Sequence, residues 1–252
     1  MKRAPFQACA LACERGGRRL FEGVDFALSE GEALWLSGAN GSGKTSLLRL
    51  LAGLGLPAEG EVCWRGKPVR ELREDYHRHV LYCGHAAGVK DDLSAWENVV
   101  YGAALSGRRV SRGQAEAALA RAGLDHVAML PAHALSQGQR RRVALARLYL
   151  DPLPPLLLLD EPFTALDAQA VQALCERLAA HLDGGGMAVY TTHQAHSLRP
   201  QRLQRLDLDQ LAAGHGDQQA WRTDQLSAPS RAAGVSAQAR ARPAAHVQGA
   251  RP

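Results

Sequence analysis

Four short stretches carry side chains whose types and spacing could work on one substrate: GANGSGKT at 38–45, LSQGQ at 135–139, LLLLDE ending at Glu161 and TTH ending at His193. The first satisfies G-x-x-x-x-G-K-[ST], with an apolar strand-like segment, ALWLS, before it and an apolar helical segment after it, the context such a loop needs. Gly38, Gly41 and Gly43 let the backbone curl until successive N–H groups face one point, and the following helix adds positive potential there. The loop residues Gly38, Ala39, Asn40, Gly41, Ser42, Gly43, Lys44, Thr45 and Ser46 therefore read as a phosphate cradle. Within it Lys44 supplies charge to the β and γ phosphates of a nucleotide, and Thr45 offers a hydroxyl to Mg²⁺.

The acids at 160 and 161 close a continuous apolar run, at the strand end where parallel sheets hold their ligands. Unpaired carboxylates there are costly to bury, which calls for a cation nearby. Asp160 suits Mg²⁺ held through water, and Glu161 is placed to orient or deprotonate an attacking water. Capping of the next helix is the competing role for such acids. His193, ending another apolar run, is read as a contact to the γ-phosphate or the water, with a plain surface histidine as the alternative.

Positioning these groups requires a strand before each and a helix after most of them. Residues 6–38 alternate short apolar segments with GG and SEGE turns, the pattern of a strand meander. TSLLRLLAGL then switches to helical spacing, and EVCWRGKPV suggests a further hairpin. Between Asp91 and Arg147 the chain reads as a helical insert: SAWE at 94–97 and SRGQ at 111–114 each place Ser three residues before Glu or Gln, so the side chains cap each other's free N–H groups. PLLLLDE, the helical AQAVQALCERLAAHL, GGG and MAVYTTH give strand, helix, strand, and so an α/β layer with strands buried on both faces. Beyond about Leu208 apolar content falls, and residues 208–252 read as a low-complexity tail, disordered because it buries too little to offset its ordering entropy.

The 252 residues carry a net charge of +5. That excess is dispersed and partly sits in the tail, so it does not mark a nucleic-acid surface. No apolar run approaches the roughly 18 to 20 residues of a bilayer span, so service to a membrane would pass through partners. The five cysteines are odd in number and lack CxxC spacing, which excludes a disulfide framework and a zinc site and suggests reduced thiols packed as small apolar groups. MKRAPFQACALAC faintly resembles a lipoprotein leader, but its apolar stretch is short and broken by Gln7, so it reads as a first strand.

The combination of GANGSGKT, LSQGQ, LLLLDEP and TTH resembles the ATP-binding subunits of ABC transporters over roughly residues 6–206. The resemblance implies a P-loop NTPase (RecA-like) core of ABC ATPase type over 1–207, with an N-terminal antiparallel β subdomain and a helical insert at about 88–150. It implies ATP and Mg²⁺ as ligands and a head-to-tail dimer in which Ser136, Gln137, Gly138 and Gln139 of one copy meet the nucleotide held by the other. Asp167, in the ALD stretch, would link the two sites or cap the helix after it. Arg140 to Arg142 read as helix-surface charges. Two positions depart from the family: Ala86 stands where a Gln usually contacts Mg²⁺ and the attacking water, and the turn CERGG offers Arg15, not an aromatic, to the adenine.

GHAAGVK, QRRRVALAR and LLLLDEPFTALD look most like the ATP-binding subunit of the bacterial cytochrome c maturation (haem exporter) complex. That resemblance implies a peripheral protein on the cytoplasmic face of the inner membrane, docked on membrane-spanning permease subunits through the insert helix at 95–105 and driving haem handling or release of a haem-loaded chaperone. Other readings are an ATP-binding subunit for another cargo and a slow, nucleotide-sensing ATPase. A chromosome-organising ATPase is excluded, since the stretch between Thr45 and Leu135 is too short for its heptads.

Overall fold

The computed structural model describes residues 4–86, 88–193, 198, 200, 202–212 and 222–224. Strands β1 (Phe6–Arg15) and β2 (Arg18–Leu28) pair antiparallel across the Gly16–Gly17 turn, and β4 (Glu59–Trp64) with the short β5 (Lys67–Pro68) completes a sheet of order β2-β1-β4-β5. β3 (Glu32–Ser37) leaves that sheet, which corrects the meander expected for residues 6–38. The reason is burial: Ala33, Leu34 and Leu36 point to opposite faces and are all buried, so the strand needs cover on both sides, as an inner parallel strand has.

The second sheet has the order β10-β9-β3-β8-β7-β6. Its strands β6 (Val80–Cys83), β7 (Leu156–Leu159), β8 (Met187–Thr191), β3 and β9 (Arg202–Asp207) run parallel, and β10 (Arg222–Asp224) pairs antiparallel with β9. Cys83 stands opposite Leu159, Leu159 opposite Tyr190, and Leu36 opposite Thr191. This register brings the loops that start at Gly38, Gly84, Asp160 and Thr192 to one edge.

Side chains of β7 alternate between two cores. Leu156 and Leu158 join a cluster beneath the antiparallel sheet and α1 (Lys44–Leu51), while Leu157 and Leu159 join one beneath α7 (Ala168–Asp183). The short helices α2 (Val69–Leu72) and α3 (Glu74–His77) cover the approach to β6. The insert contains α4 (Ala95–Ala104), α5 (Arg112–Arg121) and α6 (Gln137–Leu145), packed on an alanine-rich core of their own. Ser94, Ser111 and Ser136 each form a complete capping box with Glu97, Gln114 and Gln139.

α8 (Leu208–Ala212) follows β9 directly. Leu208 is fully buried in the first core and Leu211 packs against it, so these residues of the segment read as tail belong to the packed unit. Residues 213–221 and 225–252, the rest of that segment, lie outside the described residues. None of the five cysteines is in a disulfide, four of them are buried, and β1 carries Cys13 inside the first core. No helix among the described residues is long and apolar enough to cross a membrane.

Candidate nucleotide site

The loop at 38–43 turns through three left-handed glycines before α1 begins. Gly43 has φ 101, and a Cβ there would lie 2.9 Å from the Phe21 ring, so both backbone and packing require glycine. Lys44 Nζ donates to Gly38 O at 2.7 Å and Ala39 O at 2.9 Å, which folds the ammonium over its own loop. Thr45 Oγ1 donates to Asp160 Oδ2 at 2.8 Å, joining the start of α1 to the end of β7.

Asp160 is 2% exposed. Its second oxygen accepts from Thr191 Oγ1 at 2.9 Å, and the same hydroxyl accepts from Glu161 N at 2.8 Å. Thr191, which sequence reasoning passed over within TTH, therefore holds both acidic residues. Glu161 itself sits at φ 49, a left-handed conformation costly for a residue with a Cβ. Its Oε2 accepts from His193 N at 3.4 Å, and its Oε1 is buried without a hydrogen-bond partner among the described residues. The exposed His193 ring brings Nε2 to 3.6 Å from Oε1.

These groups line one open cleft of about 620 Å³, within the range of small-molecule sites. Arg15 and Leu20 border it on the antiparallel side, Asn40, Gly41, Lys44, Thr45 and Ser46 form its floor, and His85, Asp160, Glu161 and His193 close the far wall. Ala39 N does not face the cleft freely, because it donates to Asp209 Oδ2 at 2.7 Å. Asp209 had no motif to reveal it; only the return of α8 beside the loop does.

Ser136, Gln137, Gly138 and Gln139 do not border this cleft. Ser136 Oγ accepts from Gln139 N at 3.2 Å and Gln139 Oε1 accepts from Ser136 N at 2.9 Å, while the Ser136 and Gln137 side chains remain exposed. Gly138 passes so close to Ala165 O that a Cβ would lie 3.2 Å from it. Asp167 caps α7 by accepting from Ala170 N at 2.8 Å. Ala86 borders a second cleft with Leu135, Gln137, Arg140, Arg141, Thr164 and Ala165, and His85 borders both.

The expectation that Arg140 to Arg142 are surface charges is corrected at Arg141, which is 7% exposed. Nη1 donates to Gly84 O and His85 O at 2.9 and 3.0 Å, and Nη2 to Asp160 O and Glu161 O at 2.9 and 2.8 Å. Burial lowers its pKa from the ordinary arginine value, against the opposing pull of Cys83, Asp160 and Glu161. The QRRR run gives no sign of this, because the phase of α6 against β7 decides which arginine turns inward.

A phosphate loop, a strand-end acid pair and an excluded LSQGQ turn on a two-sheet scaffold are the parts of an ATP-binding cassette. Residues 21–164 match the ABC transporter family, and the chain belongs to that family, whose activity is ATP hydrolysis coupled to transport. Within it, the chain is 50% identical over 199 residues to the cytochrome c biogenesis ATP-binding export protein of Methylococcus capsulatus, covering 79% of this chain and 96% of that one. It is 52% identical over 207 residues to that of Pseudomonas putida, and 44% over 207 residues to that of Escherichia coli, in both cases covering 82% of this chain and 98% of the other.

Among solved structures, the dimeric bacterial ABC transporter cassette MJ0796 superposes with a TM-score of 0.70 at 26% identity, over 81% of this chain and 94% of that one. The same cassette bound to ADP and Pi, described as a post-hydrolysis state, gives 0.68 at 26% identity with the same coverage.

Proposed function

We propose that this chain is the ATP-hydrolysing subunit of a membrane complex of cytochrome c biogenesis, and that it couples hydrolysis to haem handling or to release of a haem-loaded chaperone. The observation that carries the catalytic part is the convergence at one sheet edge of Lys44, the Thr45–Asp160 pair and Glu161, whose Oε1 accepts no hydrogen bond among the described residues. The haem part rests on the likeness to the cytochrome c biogenesis export proteins.

The Thr45 hydroxyl and Asp160 carboxylate, 2.8 Å apart, are hard oxygen donors of the kind Mg²⁺ takes, with water and phosphate oxygens for the remaining positions. Mg²⁺ held there would neutralise charge developing on the phosphates. Lys44 would leave its loop carbonyls for the β and γ phosphates. Glu161 would take a proton from a water seated at Oε1, and His193 would steady the γ-phosphate side of that water. Arg15 flanks the cleft where the base would lie, and its planar guanidinium can stack on a purine.

Exclusion of the LSQGQ turn from the cleft supports a head-to-tail dimer, in which Ser136 and Gly138 of a second copy complete the site over the γ-phosphate. The cassette MJ0796, which this chain resembles, is itself dimeric. The complex would sit on the cytoplasmic face of the inner membrane, held by permease subunits. Ala86, with no ligand atom and a place in the second cleft, favours one second reading, a slow ATPase that acts mainly as a nucleotide sensor.

Gentle solubilisation of membranes containing the tagged chain tests the assignment. Recovery with membrane proteins of cytochrome c maturation is expected; recovery with an unrelated permease would leave the ATPase in place and remove the haem.

A further inference from the structure

We propose that Arg141 is the positioning residue that couples the LSQGQ turn at the head of α6 to the carboxylate end of β7; the loop after β6 has only a methyl group at Ala86 and makes no such link through a polar side chain there. Four backbone carbonyls accept from one buried guanidinium, two from the loop after β6 and two from the residues that carry the acids. Taking a charge out of water is costly and is offset here by the four carbonyls that accept from Nη1 and Nη2, while Nε is buried with no hydrogen-bond partner among the described residues. Arginine is specifically required: its flat fork reaches two pairs of acceptors at once, which a single ammonium nitrogen cannot do.

The neighbouring residue extends the linkage. Arg140 pairs with Asp91 at the far end of the same loop, and Asn98 holds that end by accepting from Lys90 N and donating to Lys90 O and Leu93 O. Both ends of the 84–91 segment are thus tied to α6. Arg141 lies five residues beyond the cap Ser136, about 7.5 Å along the helix axis, so a displacement of the turn moves the guanidinium with it. Two of the carbonyls it holds belong to Asp160 and Glu161, and Glu161 is already in a left-handed conformation from which a small backbone change re-aims the carboxylate. Engagement of the turn by a nucleotide on a second copy would in this way adjust the acid that works on the chain's own nucleotide.

The inference rests on the proposed site and dimer, and the measurements separate the two. In the full-length chain, Arg141→Gln and Arg141→Lys are compared with the unaltered protein for binding of a fluorescent ATP analogue, for melting temperature, and for ATPase rate against ATP concentration. The expected result is binding within threefold, kcat lowered at least tenfold and a Hill coefficient falling toward one. Adding Ala86→Gln to Arg141→Gln is expected to restore kcat at least threefold.

A kcat within twofold of the unaltered chain in either variant would overturn the inference, as would loss of binding and turnover in step with melting. Failure of Ala86→Gln to restore turnover would remove the link to Ala86. If Arg141→Gln does not fold, Arg141→Lys decides. If neither folds, hydrogen exchange in Glu161→Gln does: ATP is expected to protect residues 84–86 and 137–141 together, and protection of one segment alone would overturn coupling. Undiminished ATPase in Glu161→Gln would instead sink the proposed site itself.

Discussion

Glu161 and Thr191 form the most informative pair of side chains. Replacing Glu161 by Gln keeps the shape and removes the base, so turnover should drop by about 100-fold or more while ATP still binds; equal rates in the two proteins would refute the assignment. Thr191→Val removes the donor to Asp160 and leaves the Glu161 amide without its acceptor. A buried polar group so orphaned costs about 1–3 kcal/mol, and scanning calorimetry should register it. Thr191→Ser, which keeps the hydroxyl, should restore both stability and turnover; failure of Ser to rescue would mean the methyl group matters more than the hydrogen bonds.

The same side-chain reasoning extends to elements, where one residue serves a whole helix. Ser136 caps α6 in its own chain and is proposed to meet a nucleotide on another. Asp caps about as well as Ser, so Ser136→Asp should keep the melting temperature while its charge weakens ATP-dependent association, read by sedimentation. A melting temperature that falls with association would make the cap the sole role.

In the last turn of α7, burial lowers the pKa of His181 below 6.5, partly countered by the Met187 carbonyl. The unfolded chain takes up the proton first as pH falls, so stability is full above 6.5 and declines below it toward the folded value. In His181→Gln the slope of unfolding free energy against pH should lessen by up to one proton across that window, and an unchanged slope would clear His181 of the effect.

At the scale of the whole molecule, the cleft and the LSQGQ turn are in separate places on one chain. Specific ATPase activity should therefore rise with chain concentration before levelling; a constant value across dilution would contradict the shared site. The packing of α8 into the molecule is testable at Leu208, which is fully buried in the first core: Leu208→Ala should cost about 2–5 kcal/mol, read by thermal or denaturant unfolding, and an unchanged melting temperature would contradict that packing.

Much of this was legible in residue order because local rules governed it. The phosphate loop needs contiguous glycines beside Lys44 and Thr45, the capping boxes need a spacing of three, and the doubly buried strands need unbroken apolar runs; each requirement is met within about ten residues of chain. Asp160, Glu161 and the cap Asp167 belong to that class. What lay outside it depended on which elements meet. β3 reads as one more strand of a meander until the need to cover both its faces sends it into the parallel sheet. Thr191 acquires its role only through the register that sets β8 beside β7, and Asp209 through the return of α8 to the phosphate loop. Arg140, Arg141 and Arg142 are alike in sequence, yet the rotation of α6 against β7 gives Arg141 four carbonyls and a buried place. Side-chain type is a property of the chain, whereas the partner that makes a charge worth burying is supplied by packing between distant segments.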